Sequence, residues 1–357
     1  MNATEAHVFQ VPTVDVSAFV QDSSDSEERA RVVRETRTAC EEVGFIQVIG
    51  HGIPDATIEG LTMAMDWFFA LPPDVKCGYI PAEPDIVGYS APKAWSLAGS
   101  MGVAPANQMN DFFEGFNLSK SAAEFGELDL PREFYTDTMW PKDELFQTRV
   151  LSYFHEASRV AKVMMEIFVE ALAPVDTDLV SLFDHSLENM RLNNYALDEG
   201  EIELDGDLTG MGEHTDFGLV TVLWADQVDG LQVLSQDGTW HDVQPDDGAL
   251  LINIGDLLAR MTNDSWSSTL HRVKPPIVAG RVRRRRSAAF FFEANADASI
   301  GTLEKFVDPM VAPALYESPV NVGNHIRAKF RGSAYGTSVP TVGTEADRAA
   351  AARVGMG

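Results

Sequence analysis

Residues 218–256 read GLVTVLWADQVDGLQVLSQDGTWHDVQPDDGALLINIGD. Runs of Val, Leu, Ile and aromatics alternate with Gly, Asp and Asn turns. β-Branched and aromatic side chains suit a pleated, half-buried surface, and Gly and Asp suit tight turns, so each run predicts a short strand. The same texture extends outward to MRLNNYAL (190–197), TLHRVKPP (269–276) and RSAAFFFEA (286–294). Short strands at this spacing point to a sandwich or a jelly roll, not to alternating βαβ units.

Working outward, the flanks change period. Thr13 to Val16 could form a short strand. From Glu27 to Val43 the apolar positions Val32, Val33, Thr36, Ala39, Cys40 and Val43 hold helical spacing, and Gly44 is a natural stop. FIQVIGHGIP (45–54) reads as a strand ending in a turn. Pro54 to Leu71 is helical again, closed by Pro72-Pro73. Residues 78–142 read as irregular structure with short strands. Glu144 to Ala173 is the clearest helix, with Phe146, Val150, Tyr153, Phe154, Ala157, Met164 and Phe168 near a 3.6 period. Its Met and aromatic stripe reads as core packing. A last short helix is expected near Val322 to Phe330. The expected units are an N-terminal mixed α/β region (1–125), a helical brace plus β core (126–300), a C-terminal segment (301–335) and a loose tail (336–357).

The chain has 357 residues, 27 Lys+Arg against 54 Asp+Glu, and a net charge of −27. Such a surface repels phosphate backbones and anionic membranes. No apolar run reaches about 18 residues and the first residues carry no cationic-then-apolar signal. Two cysteines, Cys40 and Cys77, cannot build a disulfide framework and read as structural. The expectation is a cytoplasmic, soluble monomer acting on a small molecule, with no nucleic-acid or membrane partner.

Three constellations could carry chemistry. His214-Thr215-Asp216 with His271 offers two imidazoles and a carboxylate, a facial ligand set that leaves metal positions open. On a strand, His214 and Asp216 would share one face, with His271 arriving from another strand. A His-x-Asp pair alone is weak evidence; a surface His beside an Asp is its bland reading. Arg285 and Ser287 share one face of a strand and could seat a carboxylate, with Arg284, Arg286, Ala288, Phe290 and Phe292 on the other. The blander readings of Arg281 to Arg286 are a solvated turn or a basic patch for nucleic acid. Asn193 and Tyr195 share a face and could hydrogen-bond a polar ligand, although ordinary strand polarity explains them as well. His51 reads as bonding nearby backbone and His241 as surface. His7, His155, His185 and His325 have no constellation.

Together these residues resemble the isopenicillin N synthase-like branch of the non-haem iron(II), 2-oxoglutarate-dependent oxygenases. The resemblance spans about residues 11–335. It rests on VPTVDVS, CEEVGFIQVIGHGIP, FFALPPDVK, RLNNY, HTDFGLVTVL, GTWHDVQP, NIGDLLARMTND, STLHRV and RRSAAFFFEAN, in that order. It implies a mainly β fold with flanking helices, a double-stranded β-helix (jelly-roll, cupin-like) core. It implies Fe(II) on His214, Asp216 and His271, with 2-oxoglutarate and O2 as cosubstrates. It implies that Arg285 and Ser287 bind the distal carboxylate and that Asn193 and Tyr195 lie near the cosubstrate. Within Arg283 to Arg286 the register could slip, leaving Arg286 as the alternative seat. The implied reaction hydroxylates, desaturates or cyclises a small metabolite at an unactivated C–H bond, releasing succinate and CO2. The presence of Asp216 argues against the metal vacancy that related halogenases fill with chloride. Rivals are an iron oxidase of the same fold that uses no 2-oxoglutarate, a zinc hydrolase on the same ligands, and a non-catalytic binding protein. Phe290 to Phe292 and Leu223 would lie near the barrel wall, with their facing open. The acidic loop 196–210 and the segment 88–116 would shape the substrate entrance.

Overall fold

The computed structural model describes residues 9–81, 87–92, 94, 112–172, 178–196, 210–275, 277–278 and 281–335. The entrance loop 197–209, residues 95–111 of the expected wall segment and the tail 336–357 lie outside the described residues.

The chain begins with strand β1 (Thr13–Asp15), the single turn α1 (Ser17–Val20) and helix α2 (Ser26–Glu42). Asp25 starts α2 by accepting hydrogen bonds from the Glu27 and Glu28 amides at 3.0 and 3.2 Å. Gly44 closes it at φ +72°, where an added Cβ would stand 2.0 Å from the Ser267 carbonyl oxygen. Only glycine allows both the left-handed turn and that crossing. Strand β2 (Phe45–Ile49) and helix α3 (Asp55–Phe69) follow. Helix α3 ends before Pro72-Pro73, as expected, and Pro73 starts a separate short helix, α4 (Pro73–Cys77). A first-turn proline loses no hydrogen bond there and has its φ already set.

Strands β3 (Gly88–Ser90) and β4 (Glu114–Ser119) precede the long helix α5 (Glu144–Leu172). Then come β5 (Glu188–Tyr195), β6 (Met211–His214), β7 (Val220–Ala225), β8 (Leu231–Leu234), β9 (Trp240–Asp242) and β10 (Leu250–Ile254). Helix α6 (Asp256–Met261), β11 (His271–Val273), β12 (Ile277–Val278), β13 (Arg281–Val282) and β14 (Arg285–Phe292) follow. Strands β15 (Ser299–Ile300) and β16 (Val320–Asn321) and helix α7 (Val322–Tyr335) complete the described chain.

The strands form an eight-stranded sheet in the order β1-β2-β10-β7-β14-β5-β4-β3 and a four-stranded sheet in the order β6-β11-β8-β9. Strands from the first 125 residues hydrogen-bond directly into the large sheet. Phe45, Tyr195 and Leu251 of the large sheet share an apolar cluster with Met211, Leu231, Val233 and Val273 of the small one. This is the jelly-roll core. The other face of the large sheet packs on α2, α3 and α5 in a second, larger core. Helix α5 runs 29 residues, roughly 44 Å at 1.5 Å per residue.

Alternation along β14 serves both cores. Ala288, Phe290 and Phe292 face the helical layer, with Phe290 edge-on to Phe154 of α5 at 5.0 Å. Arg285, Ser287, Ala289 and Phe291 face the space between the sheets. Of the aromatic run, Phe291 therefore lines the barrel interior with Leu223, while Phe290 and Phe292 do not. No helix among the described residues is long and apolar enough to cross a membrane.

Phe154 is fully buried where α5 meets β14. Phe154→Ala should lower unfolding stability by about 3–5 kcal/mol, the cost of a buried aromatic cavity. Urea denaturation followed by fluorescence checks it through a lower midpoint with an unchanged slope.

Candidate functional site

A cavity between the sheets collects most of the predicted residues: Asn193, Tyr195, His214, Asp216, His271, Arg285 and Ser287 all line it. Strand pairing brings them there. β11 lies antiparallel to β6 with His271 directly opposite His214, and their rings sit 4.3 Å apart. Asp216 arrives differently from expectation. β6 stops at His214, and Asp216 lies in the turn beyond it, where its carbonyl accepts the Asp256 amide at 2.9 Å. The turn, not strand alternation, aims its carboxylate inward.

Asp216 Oδ1 is 3.9 Å from His214 Nε2 and 3.8 Å from His271 Nε2. One ligand atom from each of the three residues lies within 4.8 Å of the others, so they could hold a single metal ion. Their remaining atoms are already engaged. His214 Nδ1 faces the Gly212 carbonyl at 2.8 Å and His271 Nδ1 the Thr269 carbonyl at 3.1 Å. A protonated Nδ1 donating to each carbonyl leaves the Nε2 lone pairs for a metal. Asp216 Oδ2 accepts hydrogen bonds from Thr221 at 2.5 Å and Asn253 at 2.7 Å, which leaves Oδ1 facing the imidazoles. Burial and the adjacent His271 push His214 down to about 3, so its ring is neutral at physiological pH. Burial opposes the charge on Asp216, but the two imidazoles, Asn253 and Thr221 hold its carboxyl below the ordinary range. Two imidazoles with an ionised carboxylate make a donor set that suits ferrous iron.

Beside this cluster, β14 pairs with β5 so that Arg285 lies opposite Tyr195 and Ser287 opposite Asn193. Arg285 is buried, its guanidinium lies over the Tyr195 ring at 5.2 Å, and its Nε donates to the Val228 carbonyl at 3.2 Å. No carboxylate among the described residues pairs with it. Asn193 Nδ2 donates to Ser287 Oγ at 3.3 Å, while Asn193 Oδ1 is buried without a partner. A buried cation lacking a counter-ion, with a hydroxyl beside it, fits an incoming carboxylate. The neighbouring arginines point away. Arg284 and Arg286 reach Asp66 of α3 at 2.6 and 2.9 Å, and Arg286 also reaches Asp226 at 3.3 Å. Of the two arginines that could have lined the cavity, Arg285 does so and Arg286 does not.

Among the other singled-out residues, His51 bonds the Gly248 carbonyl at 2.9 Å, as expected. His241 is half-buried, stacked on Phe9 at 4.3 Å. His185, read without partners, sits between Asp184 and Asp297. Cys40 is buried in the core and Cys77 is exposed.

Comparison with known proteins bears directly on this arrangement. Residues 187–294 match the 2OG-Fe(II) oxygenase superfamily, and residues 11–143 match the non-haem dioxygenase N-terminal region named for morphine synthesis. The 2-oxoglutarate-dependent dioxygenase citB of Monascus ruber is 32% identical over 83% of this chain and 88% of its own. The chain belongs to the 2OG-Fe(II) oxygenase superfamily. The 2-oxoglutarate-Fe(II) type oxidoreductase hxnY of Emericella nidulans is 31% identical over 80% of each chain. A full-length Neurospora crassa protein, solved with alpha-KG and 5-formyluracil, superposes with a TM-score of 0.76 at 23% identity, over 92% of this chain and 99% of that one. This oxygenase family works with Fe(II), 2-oxoglutarate and O2.

Thr221 and Asn253 escaped the sequence reading. Each sits in a strand whose other residues signal only burial, and nothing local ties it to Asp216, 5 and 37 residues away. Asn253→Ala should weaken Fe(II) or Mn(II) binding by about 10–100-fold, because it frees Asp216 to reorient. Titration calorimetry checks this.

Proposed function

We propose that His214, Asp216 and His271 hold the iron, that Arg285 and Ser287 seat the distal carboxylate of 2-oxoglutarate, and that Asn193 and Tyr195 flank it. The reaction proposed is hydroxylation of a small metabolite at an unactivated C–H bond, or desaturation or ring closure from the same starting abstraction. One observation carries the assignment. A buried arginine without a described carboxylate partner lines the same cavity as a three-residue cluster able to hold a metal. Named relatives include a clavatol oxidase, a gibberellin 2-beta-dioxygenase and a codeine O-demethylase, which supports a small organic substrate.

When bound, iron and 2-oxoglutarate together supply O2 activation and the oxidation of the substrate, with succinate and CO2 released. The chain's own residues do the rest. His214, Asp216 and His271 would hold the ion with three ligands and leave it able to take 2-oxoglutarate and O2. Asn253 and Thr221 hold the Asp216 carboxylate still. The Tyr195 ring supports the Arg285 guanidinium, and the Val228 carbonyl fixes its orientation. Phe45, Leu223 and Phe291 form an apolar wall that limits water. Phe45 is edge-on to His271 at 5.3 Å and restrains that ligand as well.

Anaerobic reconstitution with Fe(II) and 2-oxoglutarate, then a metabolite panel screened for substrate-stimulated succinate release, tests the function. Succinate and CO2 that form only with 2-oxoglutarate present support it; substrate oxidation independent of 2-oxoglutarate would assign the iron-oxidase reading. Arg285→Gln should raise the KM for 2-oxoglutarate by about 100-fold, the loss of a desolvated charge-assisted pair. Arg286→Gln should change it by less than about threefold.

A further inference from the structure

The cavity has a charged wall that the proposed chemistry leaves unused. Glu293 follows the last residue of β14 and continues its inward-facing series into the cavity. It is 5% exposed, and its Oε2 has no hydrogen-bond partner among the described residues. The carboxylate lies so close on the Gly218 backbone that a Cβ there would fall 1.3 Å from Oε2, which leaves it little room to turn away. Burial, with the anions Asp216 and Asp256 beside it, pushes its carboxyl up to about 8, against a single backbone hydrogen bond from Leu219. Asp256 is itself answered by Lys329 at 3.3 Å and Ser268 at 2.8 Å, and Asp216 by Thr221 and Asn253. Glu293 alone of the three has no described cation or side-chain donor.

Around it the cavity is apolar, with Phe217, Phe291, Ile326 and Phe330 among its walls. An unanswered carboxylate in such surroundings is costly, and a ligand that answers it gains what water could not supply. A neutral hydroxyl or amide would leave the carboxyl protonated. A protonated nitrogen supplies the counter-charge that lets it ionise, the carboxyl proton passing to solvent.

We propose that Glu293 selects the primary substrate by receiving a protonated nitrogen, of an amine, amidine or guanidine, on its carboxylate. This deepens the oxygenase reading above and rests on it. Arg285 would then hold the cosubstrate from one end of β14 while Glu293 holds the substrate from the other.

The test uses anaerobic protein loaded with Fe(II) and 2-oxoglutarate, and three probes of one shape: cyclohexylmethylammonium, cyclohexylmethanol and cyclohexanecarboxylate. Binding is measured by calorimetry and by the shift each probe causes in the Fe(II)–2-oxoglutarate charge-transfer absorption. The ammonium should bind at least about tenfold tighter than the alcohol, with the carboxylate weakest. Glu293→Gln should bring ammonium and alcohol within about twofold while still binding 2-oxoglutarate, and Glu293→Asp should keep the ammonium preference. A wild-type protein without that preference, or a Glu293→Gln variant that retains it, overturns the assignment. Lower thermal stability of Glu293→Gln with unchanged selectivity would give the residue a packing role and overturn it too. Absence of the charge-transfer band in the wild type would instead sink the oxygenase site itself, and the assignment with it.

Discussion

Strand register is the constraint on which the rest of the molecule depends. His271 reaches His214 because β11 and β6 pair with those two residues opposite one another. Arg285 and Ser287 reach the same cavity because β14 pairs with β5 at Tyr195 and Asn193. A slip of one residue in an antiparallel ladder turns every side chain to the opposite face. In β14 it would exchange Arg285 for Arg286 and bury Phe291 in the helical layer. The slip is opposed from both sides: β14 is hydrogen-bonded to β5 and β7 along most of its length, and Phe290 and Phe292 are locked into the core with Phe154 and Phe183. Packing on the outer face thus sets what the inner face presents.

Charge reinforces that register. The chain carries a net charge of −27, yet five arginines fall within residues 281–286. Asp66 on α3 and Asp226 just beyond β7 draw Arg284 and Arg286 outward. Arg284 also donates to Asn194 Oδ1 at 2.6 Å. Arg285, on the alternate face, is left to the cavity. The three outward ion pairs are partly exposed, and such pairs are individually weak. Their effect here is to specify orientation, because each would be lost if the strand turned over.

Much of the fold was legible in local pattern. The helices over 26–42, 55–69 and 144–172 and the strands β5, β7 to β11 and β14 announce themselves through period and turn residues. What escaped was short or context-dependent. Helix α4 begins at a proline that reads locally as a stop. Helix α6 is only six residues long and buried throughout, the charged Asp256 and Arg260 included, so it has no periodic signature. Short strands were expected within 78–142, but the places of β3 and β4 were not legible, because β5 sets them by offering β4 an edge to pair with. The candidate site divides the same way. His214, Asp216, His271, Arg285 and Ser287 stand out as residue types, whereas Thr221 and Asn253 are ordinary strand polars until folding brings them to Asp216.

The sequence by itself determined the alternating strands, the bracing helices and the residue types proposed to bind a metal and a keto acid, because hydrophobic period and residue chemistry are local properties. Tertiary structure alone decided which arginine enters the cavity, that Asp216 acts from a turn, and that Glu293 is buried with an unanswered oxygen. Each of those outcomes follows from pairing and packing between segments distant in the chain. The energy that selects them belongs to contacts that no single stretch contains.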